Sequence, residues 1–526
     1  MKIDQYFKNV LMPGNVAVAA LQRAGLPVSV ERMVAVRERY LARLKVLESY
    51  VIGEASRCGT VLAYSERHSV DPKVLARFLY SGRRRGGYGL EVKAKTEKGG
   101  DSTSDEGLSW YASLAVPRPD DDQLVAAVLK IRSLSGAVTK HLDKWLECRR
   151  ADGCIHPKFN WALRTARLSA EDPPVHQIPE RADREVADDI KSCIVPREGP
   201  ARFPEEWDPR VHGSVFRWDT SGAEAAIRAA MLTHRFCSRP DPIAWEYLRL
   251  GKDIHSKTAS LLYGVPEGTY RKGSYERDAV GKTSFFLKIF GGTWRALQGN
   301  IWKGARVWVS DDEAKRLNGV FDAGYTGLVE LYERDKRSLG ELGYCEDAYG
   351  RRRSVPVHPS ASFDGRQWVY DDSDAVVRRA MNYAFHVAAN TPTQSTNASD
   401  NIFMLSLLYH GEYVDLRVPP MWEDGGVPYP EAAGWQLHGG AGPGGKPFRA
   451  WHTNTVHDSG WGDCAPGYAE PLAKLVMRRC TSVPLDWRLE ADVPYRVDLQ
   501  VGPDMGRLQD YNAVAKRFGL EPVMKR

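Results

Sequence analysis

Between Arg277 and Gly292 the chain reads RDAVGKTSFFLKIFGG. Helical spacing places Lys282, Phe286 and Phe290 at i, i+4 and i+8, so one cation and two rings line a single face. An ammonium pairs with phosphate and aromatic rings stack on bases, so such a face suits a nucleotide. The competing reading is an amphipathic core helix whose lysine reaches out to water, and locally the two stand level. Two carboxylates also have suggestive settings: Asp219 ends the strand-like run VFRWD and opens DTSGAE, and Asp458 lies in TVHDSGWGD before a glycine turn. Acids at strand ends can converge across neighbouring strands, and a pair is the smallest protein contribution to a two-metal phosphoryl-transfer site. Magnesium fits such a pair because it keeps waters and takes few carboxylates. Taken alone, Asp219 reads more simply as a helix N-cap and Asp458 as a turn residue.

The elements that must position these residues are mostly helical. Residues 14–60 read as two helices broken at Gly25-Leu-Pro27, Asp71–Leu90 as a helix ending in SGRRRGGYGL, and Asp121–Arg150 as two more helices. KAKTEKGGDSTSDEGL between them is an exposed loop by composition. The Pro-, His- and Arg-rich stretch after Cys154, with Arg164 and Arg167, reads as irregular surface chain. VFRWD predicts a short strand leading into an Ala-rich helix. Helical patterning fills Pro242 to about Leu342, YGRRRSVPV reads as a basic turn or hairpin, and 376–410 as a long helix interrupted near Pro392. The remainder mixes strands, Gly-rich loops, of which His438–Ala450 is the most flexible in composition, and a helix at Glu470–Arg479.

With 526 residues, 43% hydrophobic and 27% charged, the chain has the make-up of a globular protein of about three domains. Its 73 basic and 67 acidic residues give a net charge of +6, which permits basic patches for a polyanion without requiring them. No apolar run reaches the length of a membrane span, and the first residues lack a signal-peptide core, so a cytoplasmic protein without membrane partners is expected. The eight cysteines form no C-x-x-C pair, which argues against a zinc ribbon or a disulfide framework.

The order of the motifs is more specific than any one of them. DTSGAE, DIHSKTASLLYGV, the Lys282 helix, YGRRRSVP, HVAANTPTQS and VHDS together resemble the DNA polymerase I family (family A), nearest its phage replicative branch. KTEKGGDSTS resembles the family's thumb-tip loop, and RTARLSAEDPPVHQIP the signature before its first catalytic strand. The resemblance implies an α+β right-hand polymerase with an antiparallel palm sheet and helical fingers and thumb. Its parts would be a connector at 1–40, thumb at 41–150, palm at 151–240 and 346–526, and fingers at 241–345. It implies that Asp219 and Asp458 hold two Mg²⁺ ions, with Mn²⁺ as a substitute, and that Glu224 is a steric gate against a ribose 2′-hydroxyl. His255 and Lys282 would contact the triphosphate of a dNTP, Phe286 would pack near the sugar, and Phe290 would stack by the templating base. Arg167, Asn390, Gln394 and His457 would touch primer-template DNA. With about 40 residues before the thumb-like helices, proofreading and 5′ nuclease activities are expected to be absent, leaving room for a separate exonuclease or a processivity partner.

The sequence also departs from the family. Asp278 stands where the family has an arginine, with Arg277 one place earlier, so a one-residue insertion is needed for Arg277 to reach the triphosphate. Ser459 replaces the common glutamate after the second aspartate, leaving Asp463 as a candidate third acid, and Leu287 replaces a common glycine. Two rivals remain at this point. A single-subunit RNA polymerase shares the palm, but Glu224 in DTSGAE argues against it. A non-catalytic primer-template binding subunit is motivated by Asp278 and Ser459.

Overall fold

The computed structural model describes residues 3–92, 99–109, 111, 119–160, 167–178, 183–231, 246–248, 252–305, 307–411, 430–432, 434–456, 458–481 and 496–523. Helix α1 (Met12–Ala24) ends at Gly25, whose φ of 65° and close approach to Cys154 and His156 leave no room for a side chain. Leu26–Pro27 then pairs antiparallel with Cys154–Ile155. Helix α2 (Val30–Arg57) starts at Ser29, which accepts the Arg32 N–H and satisfies one of the first-turn donors. Asp71 caps α3 (Pro72–Tyr80) in the same way, and Arg83–Arg85 make one exposed 3₁₀ turn. Helix α4 (Pro119–Gly136) packs on α2. Among the described residues, the stretch read as irregular after Cys154 contains a short hairpin, Lys158–Asn160 against Ser169–Glu171.

The centre is a five-stranded antiparallel sheet of β1 (Ser214–Thr220), β2 (Ala450–Val456), β3 (Ser459–Cys464), β4 (Val497–Gly502) and β5 (Gln509–Asp510), in the order β2-β3-β1-β4-β5. Alternation on β1 buries Phe216 and Trp218 and leaves Arg217 and Asp219 half-buried on the other face. His452 packs against the Phe216 and Trp218 rings, at 6.2 and 5.8 Å, and burial pushes its pKa down to about 3. Gly460 is required above it, because a Cβ would come within 2.1 Å of the imidazole.

The chain leaves β1 through α5 (Ala223–Met231) and enters a helical insertion of α6 (Ile254–Tyr263), α7 (Lys282–Lys288), α8 (Trp294–Ala305), α9 (Asp311–Gly324) and α10 (Thr326–Leu342). It returns through α11 (Ala375–His410), reaches β2 and β3, and continues with α12 (Ala469–Cys480). None of the described helices is long and apolar enough to cross a membrane.

The interruption expected near Pro392 does not occur: α11 runs unbroken for 36 residues. Packing overrides the proline because the helix is buried on most sides there. Side chains also serve its backbone, with Thr391 and Thr396 donating to the carbonyls of Val387 and Pro392. From α5, the buried Arg228 donates to the Ala389 carbonyl at 2.6 Å and to Asp335 on α10 at 2.8 Å. One guanidinium thus joins three helices. Removing it strands a buried carboxylate, so Arg228→Met should cost about 3–5 kcal/mol. A thermal or urea midpoint equal to that of the parent would contradict this role.

Candidate active site

The sheet register sets the carboxylates. Asp219 sits opposite Ser459, and Asp458 closes the two-residue turn between Val456 and Ser459. Thr220 donates both its N–H (3.1 Å) and its hydroxyl (3.0 Å) to the Asp458 carbonyl, stitching the turn to the end of β1. The Ser459 hydroxyl donates to the Val456 carbonyl at 2.9 Å and braces the turn. Asp219 therefore lies within a strand and is not the N-cap that its local sequence favoured, since α5 begins only at Ala223. Arg217, two residues earlier on the same face, donates to Asp219 Oδ2 at 2.9 Å, and Asp498 faces Asp219 from β4.

Burial and the charge of Asp219 push the Asp458 carboxyl up to about 6, with Glu224 adding to the repulsion. Two half-buried oxygen ligands that repel each other suit a hard divalent cation such as Mg²⁺. Among the described residues no group of three or more His, Cys, Asp or Glu is placed to hold a metal. Asp463 is excluded as the third acid: it lies at the far end of β3, fully buried, where the Arg197 side chain and backbone N–H donate to it.

The stretch from Arg277 starts differently from the simple helix its spacing suggested. Glu276–Gly281 form a π-turn in which the Lys282 N–H reaches back to the Arg277 carbonyl. A π-turn absorbs one extra residue, so Arg277 stacks one wide turn before Lys282 on the same side. Asp278, the next residue, accepts from Arg277 Nη1 and from the Gly273 N–H. Gly281 permits the arrangement, since a Cβ would come within 2.6 Å of the His255 carbonyl on α6. Lys282 is exposed, and the His255 ring lies 5.3 Å from Phe286 and 5.8 Å from Phe285. Burial, then the charge of Arg277, push the His255 imidazole down to about 4, so at neutral pH it offers an uncharged ring.

Phe290 does not share the helical face. Helix α7 ends at Lys288, and Phe290 lies in the following turn with its N–H on the Leu287 carbonyl. The turn is imposed by Gly291, at φ 73°, where a Cβ would strike the Tyr332 ring.

Arg167 donates to Glu224 at 2.8 Å, and both side chains are largely buried. Burial raises the Glu224 pKa against the opposing effect of Arg167. Asn390 and Gln394 lie one turn apart on α11, linked by a 3.3 Å hydrogen bond, and His386 extends the row through a 2.6 Å contact with Asn390. The four-residue spacing of His386, Asn390 and Gln394 is visible in the sequence, although His386 was not singled out there. Nor was Arg217, whose i, i+2 spacing from Asp219 on a strand was the available signal. His457 and Arg164 lie outside the described residues.

An antiparallel sheet bearing paired acids, with a helical insertion between its first strand and the rest, is the arrangement of the right-hand polymerase fold. In a solved structure, the POL domain of Pol1 from M. smegmatis in complex with DNA primer-template and dNTP, the same fold is found with a TM-score of 0.69 at 20% identity, over 96% of this chain and 72% of that one. The chain belongs to DNA polymerase family A, whose family model matches residues 66–410. That match includes Asp219, Glu224, His255 and Lys282, and ends before the hairpin of Asp458. Similar proteins include DNA polymerase I of Pseudomonas aeruginosa, 26% identical over 364 residues (68% of this chain, 34% of the relative). The DNA polymerase of Bacillus phage SP01 is 22% identical over 325 residues (61% and 30%), and that of Mycobacterium phage L5 is 26% identical over 274 (52% and 38%). The chain spans about a third of the length of these relatives.

The repulsion between the acids has a measurable cost. An acid whose folded pKa is raised destabilises the fold above that pKa, and the penalty fades as pH falls toward the ordinary carboxylate value. In chelator-treated protein, Asp458→Asn should be more stable than the parent by roughly 1–3 kcal/mol at pH 8, with the gain gone near pH 4. Melting curves at the two pH values would show it, and an equal gain at both would contradict it.

Proposed function

We propose that this chain carries out template-directed addition of deoxynucleotides to a primer 3′ end. The observation that carries the reading is the cross-strand juxtaposition of Asp219 and Asp458 on the sheet of a family A chain. Two Mg²⁺ ions held by these acids would activate the 3′-hydroxyl and neutralise charge on the leaving pyrophosphate. Lys282 and Arg277 bind triphosphate oxygens as cations, and His255 adds an uncharged hydrogen-bonding ring. Glu224, fixed by Arg167, fills the space that a ribose 2′-hydroxyl needs. Arg167 therefore acts on the sugar pocket through Glu224 as well as beside the duplex. Phe286 packs near the sugar, Phe290 flanks the templating base from its turn, and Asn390 and Gln394 face the minor groove, with His457 beside the primer end. The connector, thumb, palm and fingers take the boundaries given above, with primer-template DNA and dNTPs as the ligands.

Asp219→Ala and Asp458→Ala should each slow primer extension by at least about a thousandfold, since each removes a ligand of the ions that organise the transfer. Extension at the parental rate by either variant would overturn the reading. Glu224→Ala should extend with ribonucleotides far more readily than the parent. A parent already indifferent to the sugar would favour an RNA polymerase instead.

The exposed cations Lys73, Arg77 and Arg83–Arg85 line one groove of the N-terminal helical part, of about 1040 Å³. Phosphate neutralisation by such groups releases counterions, so log Kd for primer-template should rise linearly with log salt at a slope of about 0.9 per phosphate contacted. A salt-independent Kd would rule out this mode of binding.

A further inference from the structure

The turn before Lys282 contains an acid where a triphosphate site needs none. Arg277 is mostly buried, and its guanidinium is occupied on two sides. Nε and Nη2 donate to the two carboxylate oxygens of Asp253 at 2.8 and 3.0 Å, and Nη1 donates to Asp278 Oδ1. Asp253 is itself the N-cap of α6, accepting the N–H groups of His255 and Ser256. Its carboxylate thus sits on donors of the kind a phosphate would use. Asp278 is more loosely held. It is 41% exposed, and its second oxygen accepts the Gly273 N–H at 2.8 Å, tethering the loop before the π-turn.

A guanidinium has a limited set of donors in a fixed fork. With Asp253 bidentate on one edge, the Nη1 side held by Asp278 is the side an incoming phosphate can take. We propose that Asp278 is an internal competitor for the triphosphate: it holds Nη1 of Arg277 in the nucleotide-free protein and must yield it before Arg277 can bind a phosphate oxygen. Lys282, beyond the π-turn, makes the first contact, and the exchange at Arg277 follows. Asp278 is a positioning residue that acts through Arg277, and it lowers the affinity that Arg277 and Lys282 would otherwise give. The inference rests on reading this site as one for triphosphates.

The test is equilibrium binding of inorganic tripolyphosphate to the full chain, which requires no polymerisation. Asp278→Asn keeps an oxygen for the Gly273 N–H but removes the charge, and Asp278→Ala removes both. Each should bind tripolyphosphate at least fivefold more tightly than the parent, and the gain should vanish when Arg277→Ala is added. In primer extension, the KM for dNTP should fall by a similar factor while kcat moves less. Unchanged or weaker tripolyphosphate binding in Asp278→Asn, with a melting temperature like that of the parent, would overturn the competitor role and leave Asp278 a tether of the loop. Tighter binding with no extension by the parent would uphold the competition at an anion site and reject the polymerase reading alone.

Discussion

Two hydrogen bonds from Thr220 to one carbonyl, that of Asp458, hold together segments 238 residues apart in sequence. The rest of the candidate active site depends on this clasp. Without it, the end of β1 and the β2–β3 turn could each fold correctly and still leave their carboxylates unaligned. The register does the remainder, because Ser459 opposite Asp219 fixes which face of the sheet carries the acids. Trp218 and His452 are sealed beneath, where a neutral imidazole and a glycine leave the strands free to approach.

The site is assembled against its own electrostatics. Asp458 is held near Asp219 at the cost of a raised pKa, Arg217 offsets part of the charge on Asp219, and Arg167 does the same for Glu224. On the helical insertion the pattern is reversed: the cation Arg277 is offset by Asp253 and Asp278. Each half thus carries its own counter-charges. A chain built this way can fold before its ligands arrive, and ligands of opposite charge then have defined groups to displace or neutralise. The buried Arg228, which joins α5 to α10 and α11, gives those halves a common anchor.

Much of this was legible in the sequence, for reasons that differ by residue. The helices and β1 followed from apolar spacing, and the order of motifs pointed to the family that the comparison then showed. Local rules failed where distant partners decide. Asp219 looked like an N-cap because its pairing partner lies more than two hundred residues away. Pro392 looked like a break because the burial around that stretch of α11, and the Arg228 side chain that donates to it, come from elsewhere in the fold. Phe290 missed the helical face because Gly291 and the Tyr332 ring force a turn first. Asp463 could be taken for a third acid only while its partner Arg197 was unknown. A one-residue insertion at Asp278 was one of two alternatives the sequence left open, and the π-turn over Glu276–Gly281 is visible only in the backbone geometry.

Asp219 and Asp458 are proposed to hold together the ions for nucleotide transfer. The most direct measurement of this is Mn²⁺ binding, followed by electron paramagnetic resonance, to the chain assembled with a dideoxy-terminated primer-template and the matching dNTP. Two ions per chain are predicted for the parent, with at least one lost in Asp219→Asn. Equal ion occupancy in the parent and Asp219→Asn would contradict the account.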